Sequence, residues 1–277
     1  MPKLSNMEIQ DAVCHFLNIP EGILYDLYEE GSVVMFPQSH GEFQFWLKIA
    51  GETDGKILEL ACGTGRITTH LAENGVNITG IDISEDMLKV ARRKSPQTSW
   101  LLGDMRNFGI DTMFDLIFIP FNSFLVFLKL DEVESCLASV TKHLRPGGKL
   151  VIDILNPTPS YLFSLLYNEQ RLVRSVFEHP DNKKTIVVSR HRKYDPINQI
   201  LHYHRSFKFL SSPETVDDEY SYRIYFPQEI EYLLHHCKFA VERKYGDYNF
   251  EPLSAESPQQ LFHALDAPHE QQPASQQ

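Results

Sequence analysis

The sequence predicts a doubly wound α/β fold, in which helices cover both faces of a parallel sheet. Short apolar runs alternate with stretches of helical spacing, which is the order expected of such a sheet. A glycine-rich turn joins the first run to its helix, and carboxylates stand near the ends of several runs. The predicted strands are Ile57–Leu60, Val76–Asp82, Ser99–Met105, Asp115–Ile119 and Lys149–Leu155.

Residues 56–66, KILELACGTGR, contain the turn on which the functional prediction depends. Cys62–Gly65 forms a tight turn because glycine accepts backbone angles that other residues resist. Arg66–Ala72 then follows with helical spacing. In a parallel sheet, a junction of strand, turn and helix holds nucleotide-like ligands close to bare backbone and the helix N-terminus. An ordinary tight turn has the same pattern, so this stretch alone indicates a ligand site without naming the ligand.

Three carboxylates are expected at one edge of the sheet. Glu59, Asp82 and Asp104 stand at the carboxyl ends of the first three strands, and ligands of open α/β sheets bind at that edge. Asp82 follows Gly63 by 19 residues, close to the position of a ribose-binding carboxylate in nucleotide-binding units. A carboxylate there can accept hydrogen bonds from both ribose hydroxyls. Solvated acids at strand ends are the alternative.

Composition argues against several classes of partner. The formal charge of −11 argues against nucleic acid, because such binding depends on Lys and Arg that neutralise phosphates. The chain shows no apolar leader and no run of membrane-spanning length, so a membrane partner is not expected. The cysteines are scattered without metal-ligand spacing, which predicts free thiols, no metal and a cytoplasmic location. They are Cys14, Cys62, Cys136 and Cys237.

The sequence predicts four segments. They are 1–50, a helical N-terminal cap; 51–157 with 227–266, the α/β core; 158–226, an antiparallel β insertion; and 267–277, a disordered tail. The third helix of the cap is expected to begin at Pro37. The insertion is predicted because a turn composition at 195–198 separates two strand-like runs. The tail is rich in Gln, Pro and Ser, which is typical of disorder.

Strands of the insertion are expected at 185–194, 200–210 and 219–226. Alternation along the second of them places His202 and His204 on one face together with Ser206 and Lys208. No carboxylate shares that face at matching spacing. The pattern therefore predicts a solvated face rather than a metal site.

The order of the motifs carries a family resemblance. ELACGTGR, GIDISEDML, LLGDM, FDLIFIPFNSF and LRPGGKLVIDILNP follow one another from Ile57 to about Pro157. This series resembles that of a class I S-adenosylmethionine-dependent methyltransferase. The resemblance implies a seven-stranded Rossmann-like sheet with an antiparallel last strand, S-adenosylmethionine as cofactor and S-adenosylhomocysteine as product. Ala61 replaces a commoner glycine, and no third glycine follows Gly65, which counts against a nicotinamide oxidoreductase.

The resemblance also implies which residues hold the methyl donor. Backbone around Ala61–Gly65 would approach the amino acid end and the sulfonium. Asp82 would hold the ribose, and Asp104 would accept from the adenine amino group. The apolar side chains expected against the adenine are Ile83, Met87 and Met105. The full cofactor-binding set is Glu59, Ala61, Gly63, Gly65, Arg66, Asp82, Ile83, Met87, Asp104, Met105 and Phe121.

Outside the core, the resemblance narrows to small-molecule methyltransferases related to amino-sugar and glycine N-methyltransferases. This narrower resemblance rests on YDLYEE in the cap, FNSF after the fourth strand and the hairpin region of the insertion. Such proteins often place a histidine where this chain has Val126, so an acid–base histidine does not carry over. Tyr25 matches the cap tyrosine of the family and is the catalytic candidate. The candidate acceptor contacts are Asn122, Asp153, Tyr203, Tyr222 and Arg223.

These observations predict methyl transfer from S-adenosylmethionine to a nitrogen, ahead of an oxygen, of a small molecule by in-line displacement. The sulfonium is an activated donor, so the protein mainly aligns the acceptor and excludes water. No D/NPP(Y/F) motif follows the fourth strand, which argues against nucleic acid bases as acceptors. A non-catalytic S-adenosylmethionine-binding or regulatory protein is the alternative. A homodimer is left open.

Overall fold

The computed structural model describes residues 6–31, 41–167 and 173–266. Its strands are β1 (Ile57–Leu60), β2 (Ile78–Asp82), β3 (Ser99–Leu102), β4 (Phe114–Ile119), β5 (Leu144–Leu155), β6 (Val173–Glu178), β7 (Thr185–Asp195), β8 (Ile200–Phe209), β9 (Val216–Arg223), β10 (Phe239–Tyr245) and β11 (Gln259–Asp266). They form a seven-stranded sheet in the order β10-β11-β5-β4-β1-β2-β3 and a four-stranded sheet in the order β6-β7-β8-β9.

Helices separate most of these strands. They are α1 (Asn6–Leu17), α2 (Glu21–Gly31), α3 (Glu42–Ala50), α4 (Arg66–Glu73), α5 (Glu85–Lys94), α6 (Leu130–His143), α7 (Pro159–Tyr167) and α8 (Pro227–His236), with a 3₁₀ turn at Ser123–Val126. The predicted doubly wound fold is confirmed. The predicted start of the third helix at Pro37 and the predicted disordered tail at 267–277 lie outside the described residues.

The parallel strands place the glycine turn at the centre of the main sheet. β1 lies between β2 and β4 and pairs parallel to both, with Ile57 opposite Ile78 and Leu116. A central parallel strand is covered on both faces by helices, so its side chains are buried whichever way they point. All of β1 is buried, which explains its apolar run. Glu59 is the polar exception.

The last strand runs antiparallel, as predicted. β11 lies between β5 and β10 and is antiparallel to each, with Leu261 opposite Asp153. Residues 145–148, within the LRPGG motif, form an irregularity in β5: Phe114 of β4 pairs with Leu144, whereas Leu116 pairs with Lys149. The residues between Leu144 and Lys149 therefore bulge out of the ladder, and the strand continues past them.

The four-stranded sheet contains the three strands predicted for the insertion and one that was not predicted. The additional strand, β6, has the sequence VRSVFE. Val176 is exposed while the adjacent Phe177 is half-buried against α1 and α2. With apolar residues side by side, the run lacks the alternation of period two by which a strand is recognised, so its sequence gave no clear strand signal.

The third cap helix packs on the main sheet. Phe45, Trp46 and Ile49 of α3 join a buried cluster with Ile57 and Phe118. Within the described ranges, no helix is both long enough and apolar enough to cross a membrane.

Candidate active site

The glycine turn between β1 and α4 has three residues with positive φ. They are Ala61, Gly63 and Gly65, at 56°, 56° and 80°, in the region that favours glycine. A Cβ built on Gly65 would come within 2.4 Å of the Trp100 ring, whereas a Cβ on Gly63 would meet nothing within 4 Å. Packing therefore requires glycine at position 65. Position 63 faces open space in which a ligand can approach the backbone.

The carboxylate of Asp82 joins this turn to the loop after β2. Its Oδ2 accepts a hydrogen bond from the Gly63 amide at 2.7 Å, and its Oδ1 accepts from the Ser84 amide at 2.9 Å. Asp82 is 9% exposed, and burial raises its pKa although the backbone donors oppose that shift. Each oxygen keeps a lone pair for another donor. The carboxylate can therefore accept from two hydroxyl groups while it braces the turn.

Asp104 lies just past β3 and is engaged by Arg106. Its carboxylate accepts from the Arg106 amide at 2.8 Å and from the Arg106 guanidinium at 2.6 Å. The hydrogen bond from the Arg106 side chain keeps the pKa of Asp104 below its ordinary value. Arg106 also pairs with Glu132 on α6 at 3.0 Å. Asp104 is thus ionised and held in place, although sequence spacing gave no sign of its cationic partner.

Three apolar side chains were predicted against the adenine. Ile83 directly follows Asp82 and is 65% exposed. Met87, in the first turns of α5, and Met105, after β3, are half-buried, and Met105 packs against the main core. An exposed isoleucine beside a buried carboxylate leaves apolar surface at this edge of the sheet, where a flat ring could cover it.

Arg66 begins α4 and is held by a residue that was not predicted, Glu42 of α3. Its guanidinium makes two hydrogen bonds to Glu42 of α3, at 2.6 Å and 3.0 Å, and lies over the Phe121 ring at 4.6 Å from its centroid. Burial opposes the charged form, but the hydrogen bonds and charge of Glu42 outweigh it and raise the pKa of Arg66, with a smaller contribution from Tyr25. Glu42 is buried. A glutamate in the first turn of a helix carries no sequence signal of such a contact.

Asp153 holds the loop after β4 in place by accepting hydrogen bonds. Its Oδ2 accepts from the Phe121 amide at 3.0 Å and from the Tyr248 hydroxyl at 2.8 Å. Burial raises the pKa of Asp153 to about 7. The neighbouring Asn122 accepts from the Leu155 amide at 2.6 Å through its side-chain oxygen. Asp153 and Asn122, both predicted acceptor contacts, thus bond to the protein's own backbone and shape this loop.

Glu59 lies beneath the glycine turn. It is buried, and its carboxyl accepts a hydrogen bond from the Thr68 hydroxyl on α4. Burial raises the pKa of Glu59 to about 8, while the bond from Thr68 and the charge of Arg66 oppose the shift and the charge of Glu42 adds to it. This environment favours the protonated acid near neutral pH.

We expect Glu59→Gln to reduce the pH dependence of stability. The folded protein binds a proton at Glu59 that the unfolded chain releases, so the free energy of unfolding falls as pH rises toward the folded pKa of about 8. Glutamine stays neutral. Relative to wild type, the variant should therefore gain up to about 1.4 kcal/mol per pH unit between about pH 5 and 8. Urea denaturation across that range measures the difference. Glu73→Gln, on the exposed end of α4, is the control, and parallel curves for wild type and Glu59→Gln would contradict the assignment.

Helix α2 contacts the glycine turn and the loop after β2 through one carboxylate each. Asp26 accepts from the Thr64 hydroxyl at 2.6 Å and pairs with Lys94 at 2.7 Å. Glu21 accepts from the Ser84 hydroxyl at 2.5 Å. Tyr25, the predicted catalytic residue, lies on the same helix between them. Neither acid was predicted as a site residue, because their partners are distant in sequence.

The predicted contacts from the insertion divide into two groups. Tyr203 is buried and stacks on Tyr220, with ring centroids 4.9 Å apart. Tyr222 packs edge-on against Tyr203 and reaches the main core. Arg223 does not join them: it pairs with Glu229 of α8 at 2.7 Å.

No group of three or more His, Cys, Asp or Glu side chains that could hold a metal ion occurs in the described part of the chain. His202 is exposed and bonds to the Ser221 hydroxyl at 2.8 Å. His204 approaches Asp217 and Glu219 at the surface.

Comparison with known proteins identifies the family. A family model described as a methyltransferase domain matches residues 57–148, from β1 through the bulge in β5. A protein of Bacillus subtilis (strain 168) named "Putative methyltransferase YqeM" is 30% identical over 245 residues, which cover 86% of this chain and 94% of that protein. The chain belongs to the class I S-adenosylmethionine-dependent methyltransferases. Its methyl donor is S-adenosylmethionine.

Other known proteins resemble this methyltransferase over part of its sequence or in fold alone. The dTDP-3-amino-3,6-dideoxy-alpha-D-glucopyranose N,N-dimethyltransferase of Streptomyces fradiae is 29% identical over 143 residues, 50% of this chain and 56% of that protein. The crystal structure of an S-adenosylmethionine-dependent methyltransferase from Clostridium acetobutylicum ATCC 824 superposes with a TM-score of 0.71 at 19% identity, covering 88% of this chain and 99% of that one. This second similarity shows a shared fold.

Proposed function

We propose that this methyltransferase transfers the methyl group to an amino nitrogen of a small molecule. One observation supports binding of the methyl donor. The Asp82 carboxylate accepts hydrogen bonds from the Gly63 and Ser84 amides, beside open space over the Gly63 backbone. The amino acceptor is supported by the Streptomyces fradiae relative, whose name specifies N-methylation of an amino sugar. Nitrogen is therefore favoured over oxygen, and the amino-sugar similarity gives the class of acceptor to test first.

The chain's residues fit S-adenosylmethionine. The uncovered backbone at Gly63 accommodates the amino acid end, and the Asp82 carboxylate has capacity for both ribose hydroxyls. Ile83, Met87 and Met105 offer apolar surface for the adenine, with Asp104 as acceptor for its amino group. Bound there, S-adenosylmethionine would supply a methyl group on a cationic sulfur. We assign Arg66 to the carboxylate of the amino acid end, since Glu42 and the Phe121 ring fix its guanidinium at the start of α4.

We assign binding of the methyl acceptor to α2, to the loop after β4 and to the inner face of the four-stranded sheet. Asp153 and Asn122 act by holding the backbone of residues 121–122 and 155 in place. A neutral amine needs only alignment behind the methyl carbon and exclusion of water, whereas a base helps only when the amine arrives protonated. Val126 has no group that can take a proton, so the proposal assigns no acid–base role to that position.

The test is transfer of labelled methyl groups. Purified protein, S-adenosylmethionine labelled in its methyl group and the Streptomyces fradiae enzyme's amino-sugar nucleotide are combined, alongside a panel of simple primary amines. Appearance of label on a nitrogen supports the proposal. Binding of S-adenosylhomocysteine without transfer to any of these amines or to any metabolite of a cell extract would instead identify a non-catalytic binding protein.

We expect Tyr25→Phe to lower kcat by about 10-fold or more while the affinity for S-adenosylhomocysteine stays unchanged. Tyr25 lies on the helix that covers the glycine turn and is close enough to Arg66 to act on its pKa. A hydroxyl that orients the acceptor or takes its proton contributes to the rate and not to donor binding. Steady-state kinetics and calorimetry on the same preparation measure both. Equal kcat values for the two proteins would remove Tyr25 from the catalytic site.

A further inference from the structure

The loop after β4 contains two consecutive residues with left-handed backbone. Phe121 and Asn122 have φ values of 53° and 66°, in a region that residues other than glycine adopt uncommonly. Such a conformation persists only where the surrounding structure fixes it, and it is found most often at functional sites. The contacts that fix this loop are therefore the ones to examine for a functional role.

Strand β5 holds the backbone of this loop at three points. The Phe121 amide donates to the Asp153 Oδ2 at 3.0 Å, and the Asn122 amide donates to the Asp153 carbonyl at 3.0 Å. The side-chain oxygen of Asn122 accepts from the Leu155 amide at 2.6 Å. Of the three contacts, only the first uses a carboxylate, and the strength of that acceptor depends on its charge.

Tyr248 reaches the same carboxylate from the segment between β10 and β11. Its hydroxyl donates at 2.8 Å to the Asp153 Oδ2, the oxygen that accepts from the Phe121 amide. Both side chains are buried. Burial raises the pKa of Asp153 to about 7 and the charge of Glu42 adds to the shift, whereas the hydrogen bonds from Phe121 and Tyr248 and the charge of Arg66 oppose it. Tyr248 thus favours the ionised carboxylate, which is the stronger acceptor for the Phe121 amide.

The position of Tyr248 is set by its own segment and by packing. The Oδ1 of Asp247 accepts from the Asn249 amide at 2.8 Å and from the Glu251 amide at 3.1 Å, which closes the backbone around Tyr248. The Tyr248 ring packs against Phe45 of α3, with ring centroids 5.6 Å apart. Phenylalanine can therefore fill the same space, and the hydroxyl is the part of this side chain that acts on the loop.

The loop contacts the glycine turn through the Phe121 ring. The centroid of this ring lies 4.6 Å from the guanidinium carbon of Arg66, which directly follows Gly65 and begins α4. Glu42 accepts two hydrogen bonds from the same guanidinium, at 2.6 Å and 3.0 Å. Two neighbours on different elements thus fix the orientation of a planar group that carries several donors.

We propose that Tyr248 is a positioning residue of the methyl-donor site. It acts through Asp153 and Phe121 on the orientation of Arg66. The inference rests on the proposed function, in which Arg66 binds the carboxylate at the amino acid end of S-adenosylmethionine. The Tyr248 hydroxyl is buried and engaged by Asp153, so we assign it no contact with donor or acceptor. Loss of the hydroxyl should loosen the loop and leave Arg66 less well oriented toward that carboxylate.

Binding of two ligands separates this role from a merely structural one. S-adenosylhomocysteine carries the amino acid end, whereas 5′-methylthioadenosine lacks it and keeps the adenosine. We expect Tyr248→Phe to weaken S-adenosylhomocysteine binding by about 5-fold or more, which corresponds to the net contribution of roughly one hydrogen bond. Its affinity for 5′-methylthioadenosine should stay unchanged. Isothermal titration measures both ligands, and unchanged binding of the second also shows that the variant is folded.

The pH dependence of S-adenosylhomocysteine binding is a second readout. In wild type, affinity should decline as pH falls through the Asp153 pKa of about 7, because the neutral acid is a weaker acceptor for the Phe121 amide. Removal of the Tyr248 hydroxyl raises that pKa further, so in Tyr248→Phe the decline should begin at a higher pH. Other titrating groups are common to both proteins, and the difference between the two profiles therefore reports on Asp153.

The matched control is Tyr245→Phe. The Tyr245 ring packs against Phe45, with centroids 6.3 Å apart, but its hydroxyl accepts from Arg243 at the surface, at 3.5 Å. This variant should bind both ligands as wild type does. The path is tested by combining Tyr248→Phe with Phe121→Leu. If Tyr248 acts through the Phe121 ring, its substitution should cause little further loss once that ring is absent.

Three results would overturn the positioning role of Tyr248. They are equal S-adenosylhomocysteine affinity and parallel pH profiles in wild type and Tyr248→Phe, an equal loss for both ligands, or an undiminished loss in the Phe121→Leu background. If methyl transfer to an amine is observed in such a case, the proposed function stands and only the role of Tyr248 falls. If the binding results are as expected but no amine is methylated, the proposed function falls and the role of Tyr248 in donor binding stands.

Discussion

Asp82→Ala should weaken S-adenosylhomocysteine binding by about 100-fold or more. The carboxylate sits where it can accept from both ribose hydroxyls, and a hydrogen bond to a charged group contributes about 1.5–3 kcal/mol. Two such bonds correspond to at least about 100-fold in affinity. The substitution also removes the acceptor of the Gly63 and Ser84 amides, so the turn loses its brace at the same time. Isothermal titration of wild type and variant measures the effect.

Asp86→Ala is the matched control for this substitution. Asp86 lies in the first turn of α5, where its carboxylate pairs with Lys89 at the surface, and its removal should leave affinity unchanged. Asp82→Asn keeps the size of the side chain but loses the charge, and a thermal melt of each variant checks folding. If folded Asp82→Ala binds as tightly as wild type, the ribose assignment is wrong.

The central part of the fold could be predicted because its signals are local. Residues 57–60 form a short, mostly apolar run, as expected of a strand that is buried on both faces, and the glycines that follow mark a turn. The acid at the tip of β2 was found for the same reason, since Asp82 stands at a fixed distance in sequence from the turn it serves. The order and spacing of these local motifs also indicated the family. The resemblance to that family in turn predicted that the last strand is antiparallel.

Contacts between distant segments were not predictable in this way. Glu42, Glu21 and Asp26 meet Arg66, Ser84 and Thr64 across long stretches of chain, and each looks like an ordinary solvated acid in its own helix. Strand register was not predictable either, because the residues that lie opposite each other depend on how β7 pairs with β8. Alternation alone showed which residues of β8 share a face, but it could not show that Arg205 lies opposite Arg190 of the neighbouring strand.

Substitution by alanine should lower the free energy of unfolding more at Gly65 than at Gly63. Gly65→Ala adds a Cβ within 2.4 Å of Trp100, and that ring is fixed because its Nε1 donates to the Ser95 carbonyl at 2.9 Å. Overpacking costs about 1–3 kcal/mol, and a positive φ in a residue with a Cβ costs about 1–2 kcal/mol. We therefore expect Gly65→Ala to lower the free energy of unfolding by roughly 2–5 kcal/mol. Urea denaturation measures this loss.

Gly63→Ala provides the internal comparison, because it carries a similar positive φ but its Cβ meets open space. Its stability should fall by only about 1–2 kcal/mol. Donor affinity should nevertheless drop, since the methyl group enters the space over the backbone that the amino acid end is proposed to occupy. Equal stability losses at the two positions would show that backbone strain alone requires these glycines. Full donor affinity in Gly63→Ala would place the amino acid end elsewhere. A large stability loss only at position 65, with a binding loss at position 63, would separate the glycine required by the fold from the one required by the ligand.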